Sequence, residues 1–128
     1  MPPSCLIIDD NASFLDASRA LLQGQGMSVI GMATTASEGL QLTADLRPDV
    51  VLIDIDLGAE SGFELARKIA DGTATSAPAV ILISTHLEVD FADLIAESPA
   101  LGFVAKQQLS KRAIEELLDR SPNATRGT

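Results

Sequence analysis

Four charged residues stand where short apolar runs end: Asp9 and Asp10 after Cys5-Leu-Ile-Ile8, Asp54 after Val50-Val-Leu-Ile53, and Lys106 after Gly102-Phe-Val-Ala105. Magnesium, or manganese in its place, prefers hard oxygen ligands, commonly one or two carboxylates completed by water and phosphate. Asp10 and Asp54 can supply those carboxylates, with Asp9 holding an ordered water in the outer shell. Asp54, centred in the cluster, is the expected nucleophile, and its attack on phosphorus would give an acyl phosphate. Lys106 would neutralise charge on the transferred oxygens, and the hydroxyl of Ser84, which ends the run Ala79-Val-Ile-Leu-Ile83, can donate to the same group. Each residue also has a plainer reading. Asp-Asp-Asn ahead of a helix caps it and compensates its dipole, and a single lysine is commonly a solvated surface charge.

Convergence of these residues requires a particular scaffold. Apolar runs of four to six residues recur at Cys5 to Ile8, Met27 to Met32, Val50 to Ile53, Ala79 to Ile83 and, shorter, Phe103 to Ala105, which fits strands buried on both faces. Between them lie segments with helical spacing. The first carries Phe14, Leu15, Ser18, Leu21 and Leu22 on one stripe and stops at Gly24 and Gly26. Capping boxes at Thr35-Ala-Ser-Glu38 and Ser61-Gly-Phe-Glu64 start the second and third helices, and Pro48 stops the second near Leu46. A fourth helix is expected around Asp90 to Glu97. The last turns Ala113, Ile114, Leu117 and Leu118 inward and Lys111, Arg112, Glu115, Glu116 and Asp119 outward.

Five strands alternating with five helices predict an α/β fold: a doubly wound, five-stranded parallel sheet with right-handed crossovers. The flavodoxin-like order 2-1-3-4-5 puts the first and third strands side by side at the switch point, where Asp9 and Asp10 would adjoin Asp54.

With 128 residues, 46% of them apolar, the chain suits one domain, expected over residues 1–120, with 121–128 a flexible tail or the start of a linker. Eighteen acidic against nine basic residues give a net charge of −9, which argues against nucleic acid or an anionic membrane as partner. Cys5 is the single cysteine, so an internal disulfide or a cysteine metal cluster is excluded. No apolar run approaches a membrane span and the first residues do not read as a signal peptide, so a cytoplasmic protein is expected.

From about Cys5 to Leu118 these motifs, in this order, closely resemble the receiver domain of two-component response regulators. Leu6-Ile-Ile-Asp-Asp-Asn11 resembles the family's acidic pair, Arg47-Pro-Asp-Val-Val-Leu-Ile-Asp54 its phosphoacceptor strand, Ile81-Leu-Ile-Ser84 its hydroxyl strand, and Gly102-Phe-Val-Ala-Lys106 its lysine motif. The resemblance implies a phosphorelay protein, not a turnover enzyme, in which Asp54 accepts phosphate from a histidine kinase or phosphotransfer protein. It also implies that the backbone carbonyl of Asp56 joins the metal ligands, and that Ser84 and Phe103 act as a switch. The face made by the fourth helix, fifth strand and fifth helix would then change its preference for an output partner or a C-terminal effector domain, leaving open a phosphorylation-dependent dimer.

Departures from the family pattern carry expectations of their own. Gln107 stands where a proline with a cis bond is usual, and a trans Lys106-Gln107 peptide is predicted, because a non-proline cis bond costs about 2.5–4 kcal/mol. Gly58 replaces a frequent proline and should loosen its loop. Phe103 lacks a tyrosine hydroxyl, so weaker gating is expected. Asp56 and His86 are candidates for tuning metal affinity or phosphate lifetime. Two rivals remain: a phosphohydrolase of the haloacid dehalogenase type using Asp54 and Asp56, against which the chain order speaks, and a degenerate receiver that works without phosphate.

Overall fold

The computed structural model describes residues 3–72, 78–85 and 91–120. The elements alternate as expected: β1 (Ser4–Ile8), α1 (Ala12–Gly24), β2 (Ser28–Ala33), α2 (Ala36–Leu46), β3 (Val50–Asp54), β4 (Asp56–Leu57), β5 (Glu60–Ser61), α3 (Gly62–Gly72), β6 (Ala79–Ser84), α4 (Ala92–Glu97), β7 (Gly102–Ala105) and α5 (Lys111–Arg120). The main sheet is parallel in the order β2-β1-β3-β6-β7. This is the predicted 2-1-3-4-5 order once β4 and β5 are set aside. Those two form a separate antiparallel pair just beyond Asp54, which the sequence pattern did not reveal.

Side-chain alternation divides the interior into two layers. Cys5, Ile7, Val50, Leu52, Ile81, Ile83 and Val104 pack with Leu15 and Leu22 of α1 and Ile114 of α5. Leu6, Ile8, Val51, Ile53, Val80 and Leu82 pack with Leu65, Ala66 and Ile69 of α3, while Leu42 of α2 and Ile95 of α4 cover that side. Every residue of β3 is buried because it has a strand on each side and helices on both faces. Full burial of each large aliphatic side chain contributes about 1.5–3 kcal/mol, so this central strand is a stable platform for the residue at its end.

Several local expectations need correction. The segment Met27 to Met32 is not a strand buried on both faces: β2 lies at the sheet edge, its register shifts opposite Cys5 and Leu6, and Ile30 is exposed. β7 at the other edge is also mostly half-buried. Leu21 leaves the predicted stripe of α1 and is exposed, because Leu15, Ser18 and Leu22 already fill the contact arc. The expected fourth helix is present as α4 over Ala92–Glu97, with Asp90 outside the described residues; it has no side-chain cap at its start, and Ser98, ahead of Pro99, is extended. Residues 121–128, expected as a tail, and His86 lie outside the described residues.

Other local readings hold. Thr35 Oγ1 accepts the Glu38 N–H at 3.1 Å, although the Glu38 carboxylate returns to the Thr34 N–H, one residue earlier than in a reciprocal box. At the start of α3 the Glu64 N–H to Ser61 Oγ contact is long, at 3.5 Å. α2 ends at Leu46, with Arg47 turned to a φ of 49° ahead of Pro48. All described peptide bonds are trans, including Lys106-Gln107.

Candidate functional site

β1, β3 and β7 end at the same edge of the sheet, and alternation sends their terminal charges to one side. Asp9 continues the parity of Cys5 and Ile7, Asp54 that of Val50 and Leu52, and Lys106 that of Val104, all of them in the layer covered by α1 and α5. Lys106 Nζ lies 2.5 Å from Asp9 Oδ2 and 3.0 Å from Asp54 Oδ2, so one ammonium bridges the two carboxylates.

Local backbone structure fixes each partner. Asp9 is fully buried; its N–H donates to the Ala33 carbonyl at 3.0 Å and its Oδ1 accepts the Asn11 N–H at 2.9 Å. Asn11 in turn caps α1, accepting the Phe14 N–H at 3.1 Å. The helix-start reading of Asp-Asp-Asn therefore holds, and the same turn that caps α1 also places Asp9 beside Lys106. Asp54 Oδ1 accepts the Asp56 N–H at 3.0 Å, which leaves Oδ2 to Lys106.

The loop beyond Asp54 is tightly constrained. The Gly62 N–H donates to the Ile55 carbonyl at 2.8 Å, bringing its Cα so close to the Asp54 carbonyl that a Cβ there would collide with it. Gly58, at a φ of 72°, meets the left-handed requirement of the turn, and its N–H donates to Asp56 Oδ1 at 3.2 Å. The exposed Asp56 side chain is thus engaged with its own loop. Glu60 reaches from β5 to accept the Ala36 N–H at 3.0 Å, tying this loop to the start of α2.

Crowding of charge alters the acid–base chemistry. Burial pushes the Asp54 carboxyl up to about 6; the neighbouring Asp9 charge adds to this, while the Asp56 amide and Lys106 oppose it. Burial would lower the Lys106 ammonium, but its bonds to Asp9 and Asp54 and their charges outweigh that and hold it above its usual value. Asp54 therefore remains largely ionised at neutral pH, and Lys106 remains a full cation.

Asp9, Asp10 and Asp54 each present a carboxylate oxygen within 4.8 Å of the others. Only Asp10 of the three is exposed. An oxygen-only donor set, open to water on one side and carrying more negative charge than Lys106 cancels, fits a hard divalent ion. Ser84 is buried at the end of β6, opposite Ala105 and one residue past Ile83, the register partner of Asp54. Phe103 is half-buried against the layer lined by α3.

One contact escaped the sequence reading: Lys106 Nζ lies 4.4 Å from the centroid of the Phe14 ring. Phe14 read only as part of a core stripe. The available signal was its place in the first turn of a helix that starts directly after the acidic pair.

Comparison with known proteins identifies the family. The family model described as the response regulator receiver domain matches residues 5–119. Over 114 residues the chain is 35% identical to protein-glutamate methylesterase/protein-glutamine glutaminase 3 of Geobacter sulfurreducens, covering 88% of this chain and 29% of that protein. Over 123 residues it is 32% identical to the transcriptional regulatory protein LiaR of Bacillus subtilis, covering 95% of this chain and 56% of LiaR. The chain thus spans between about a third and just over half of these relatives. The fold superposes on the response regulator domain of Thermotoga maritima CheB with a TM-score of 0.78 at 21% identity, covering 93% of this chain and 96% of that one. With the strand order, the strand-end acids and the bridging lysine in place, the chain belongs to the response regulator receiver domain family of two-component phosphorelay signalling.

Proposed function

We propose that Asp54 accepts a phosphoryl group from the phosphohistidine of a histidine kinase or phosphotransfer protein. The observation that carries this reading is the bridge itself: one ammonium 3.0 Å from Asp54 and 2.5 Å from Asp9, beside a third carboxylate. An Asp54 oxygen attacks phosphorus, and an O–P bond forms as the P–N bond to the donor imidazole breaks. The imidazole leaves with the electron pair and takes up a proton. Lys106 needs only a short movement to pass from the carboxylate to the transferred oxygens, and Ser84 donates its hydroxyl to the same group.

Asp10 and Asp54, with the backbone carbonyl of Asp56, are the groups that would hold Mg2+ or Mn2+, while Asp9 orders water behind them. Bound there, such an ion would supply neutralising charge for the transferred oxygens. Ser84 and Phe103 then bias the face formed by α4, β7 and α5, because the phosphoryl group offers contacts in one state that the other lacks. That face addresses an effector domain, a separate output partner or a second copy of the chain. Asp56, bonded to its own loop, remains a candidate for tuning phosphate lifetime. No described helix is long and apolar enough to cross a membrane, which accords with action in the cytoplasm.

Incubation with magnesium chloride and acetyl phosphate, followed by intact mass measurement, tests this. One phosphoryl group should add to the wild type and none to Asp54→Ala. Absence of the adduct, or its retention in the variant, would overturn the reading.

A further inference from the structure

We propose that Phe14 is a positioning residue: its ring holds the Lys106 ammonium in place while that cation passes from its carboxylate partners to the transferred phosphoryl group. The inference rests on the reading of Lys106 as the phosphate-binding cation.

Among the described residues, the Lys106 ammonium meets partners of two kinds. Asp9 and Asp54 are anions at 2.5 and 3.0 Å, and the Phe14 ring lies 4.4 Å away, measured to its centroid. Phosphoryl transfer converts the Asp54 carboxylate to an acyl phosphate whose negative charge lies on the phosphoryl oxygens, so the place of strongest attraction on that side moves during the reaction. A lysine ammonium is a compact charge on a flexible stem, free to follow whichever anion pulls hardest. With the Asp54 charge carried outward onto the phosphoryl oxygens, Asp9, in contact at 2.5 Å, competes with them for the ammonium. The aromatic face is neutral, and its attraction for a cation is the same before and after transfer.

The ring is also a fixed object. Phe14 sits in the first turn of α1, its N–H bonded to Asn11, which is tied to Asp9 through the Asn11 N–H. The ring packs against the buried cluster that contains Leu15 and Val104. One turn of chain therefore sets Asp9, the cap and the ring, and Asp9 and the ring both meet the same ammonium. The Lys106 side chain, only 12% exposed, is screened from water that would otherwise compete for it. A leucine here could provide cover but not the quadrupole.

The test compares wild type with Phe14→Leu, Phe14→Trp and a protein carrying 3,4,5-trifluorophenylalanine at position 14, which keeps ring shape while draining the negative face. Two readouts are taken on each folded protein: the maximal rate of phosphorylation by acetyl phosphate at saturating magnesium, and the NMR shifts of the Lys106 ε-methylene protons without donor. Loss of the aromatic face should slow phosphorylation about threefold to tenfold in Phe14→Leu and in the fluorinated protein, with Phe14→Trp at or above wild type. The ε-methylene protons should be ring-shifted upfield in wild type and lose that shift in Phe14→Leu. Equal rates in wild type and the fluorinated protein would overturn the positioning role, as would an unshifted ε-methylene in wild type. Failure of the wild type to take up phosphate would instead overturn the proposed function, and the shifts recorded without donor would still decide whether the ring seats the ammonium.

Discussion

Replacing Asp54 by Asn should stabilise the metal-free protein at neutral pH. Burial raises the Asp54 carboxyl from 3.8 to about 6, so folding favours its protonated form. The folded state then binds more protons than the unfolded chain between these values, and stability falls as pH rises. The contribution is fully present below about pH 4 and is lost as pH passes through about 6. A shift of this size corresponds to about 3 kcal/mol at 1.36 kcal/mol per unit, and solvent at the open side of the pocket reduces it to roughly 1–2 kcal/mol. The amide introduced by Asp54→Asn would keep the shape of the side chain and an oxygen for Lys106, without the charge. Urea unfolding in EDTA should therefore place Asp54→Asn about 1–2 kcal/mol above wild type at pH 7.5, and the two should converge near pH 4. Magnesium at ten times its dissociation constant should return about 1.4 kcal/mol to the wild type and little to the variant, which lacks the proposed Asp54 carboxylate ligand. A variant no more stable than wild type at pH 7.5, or a gap that persists at pH 4, would rule out burial of the Asp54 charge as the source of the difference.

Three further outcomes can be checked with the same assays. Lys106→Met leaves Asp9 buried beside an unbalanced Asp54, so it should cost about 2–3 kcal/mol in urea unfolding, recover partly with magnesium, and slow phosphoryl uptake. Gly62→Ala places a Cβ against the Asp54 carbonyl and should cost about 3 kcal/mol, whereas Gly24→Ala, where nothing lies within 4 Å, should be neutral or stabilising by up to about 1 kcal/mol. Glu60→Ala removes the acceptor for the Ala36 N–H and should cost about 0.5–1 kcal/mol, with faster hydrogen exchange at that amide as its specific signature.

Most of the fold was legible because each element advertises itself locally. Pro48 and the Thr35 cap mark the ends of α2, and the apolar run Val50 to Ile53 marks a strand with neighbours on every side. Edges were harder. Met27 to Met32 has the same apolar composition as a central strand, yet β2 has one neighbouring strand, and the register shift that exposes Ile30 arises from pairing with β1. The β4–β5 pair is likewise invisible in sequence, since two-residue strands leave no period to detect.

Which groups could do chemistry, and that they would meet, was already written in the chain: Asp9, Asp10, Asp54 and Lys106 each end an apolar run, and parallel strands bring such ends to one edge. How they divide the work emerged only from the folded arrangement. It made Asp9 a fully buried partner of Lys106, left Asp10 open to solvent, turned the Asp56 side chain back onto its own loop, and set Phe14 beneath the ammonium. Range accounts for the division. Strand and helix signals are carried by residues a few positions apart, whereas ion pairing, desolvation and ring contact depend on ångström separations between segments as distant in sequence as Asp9 and Lys106.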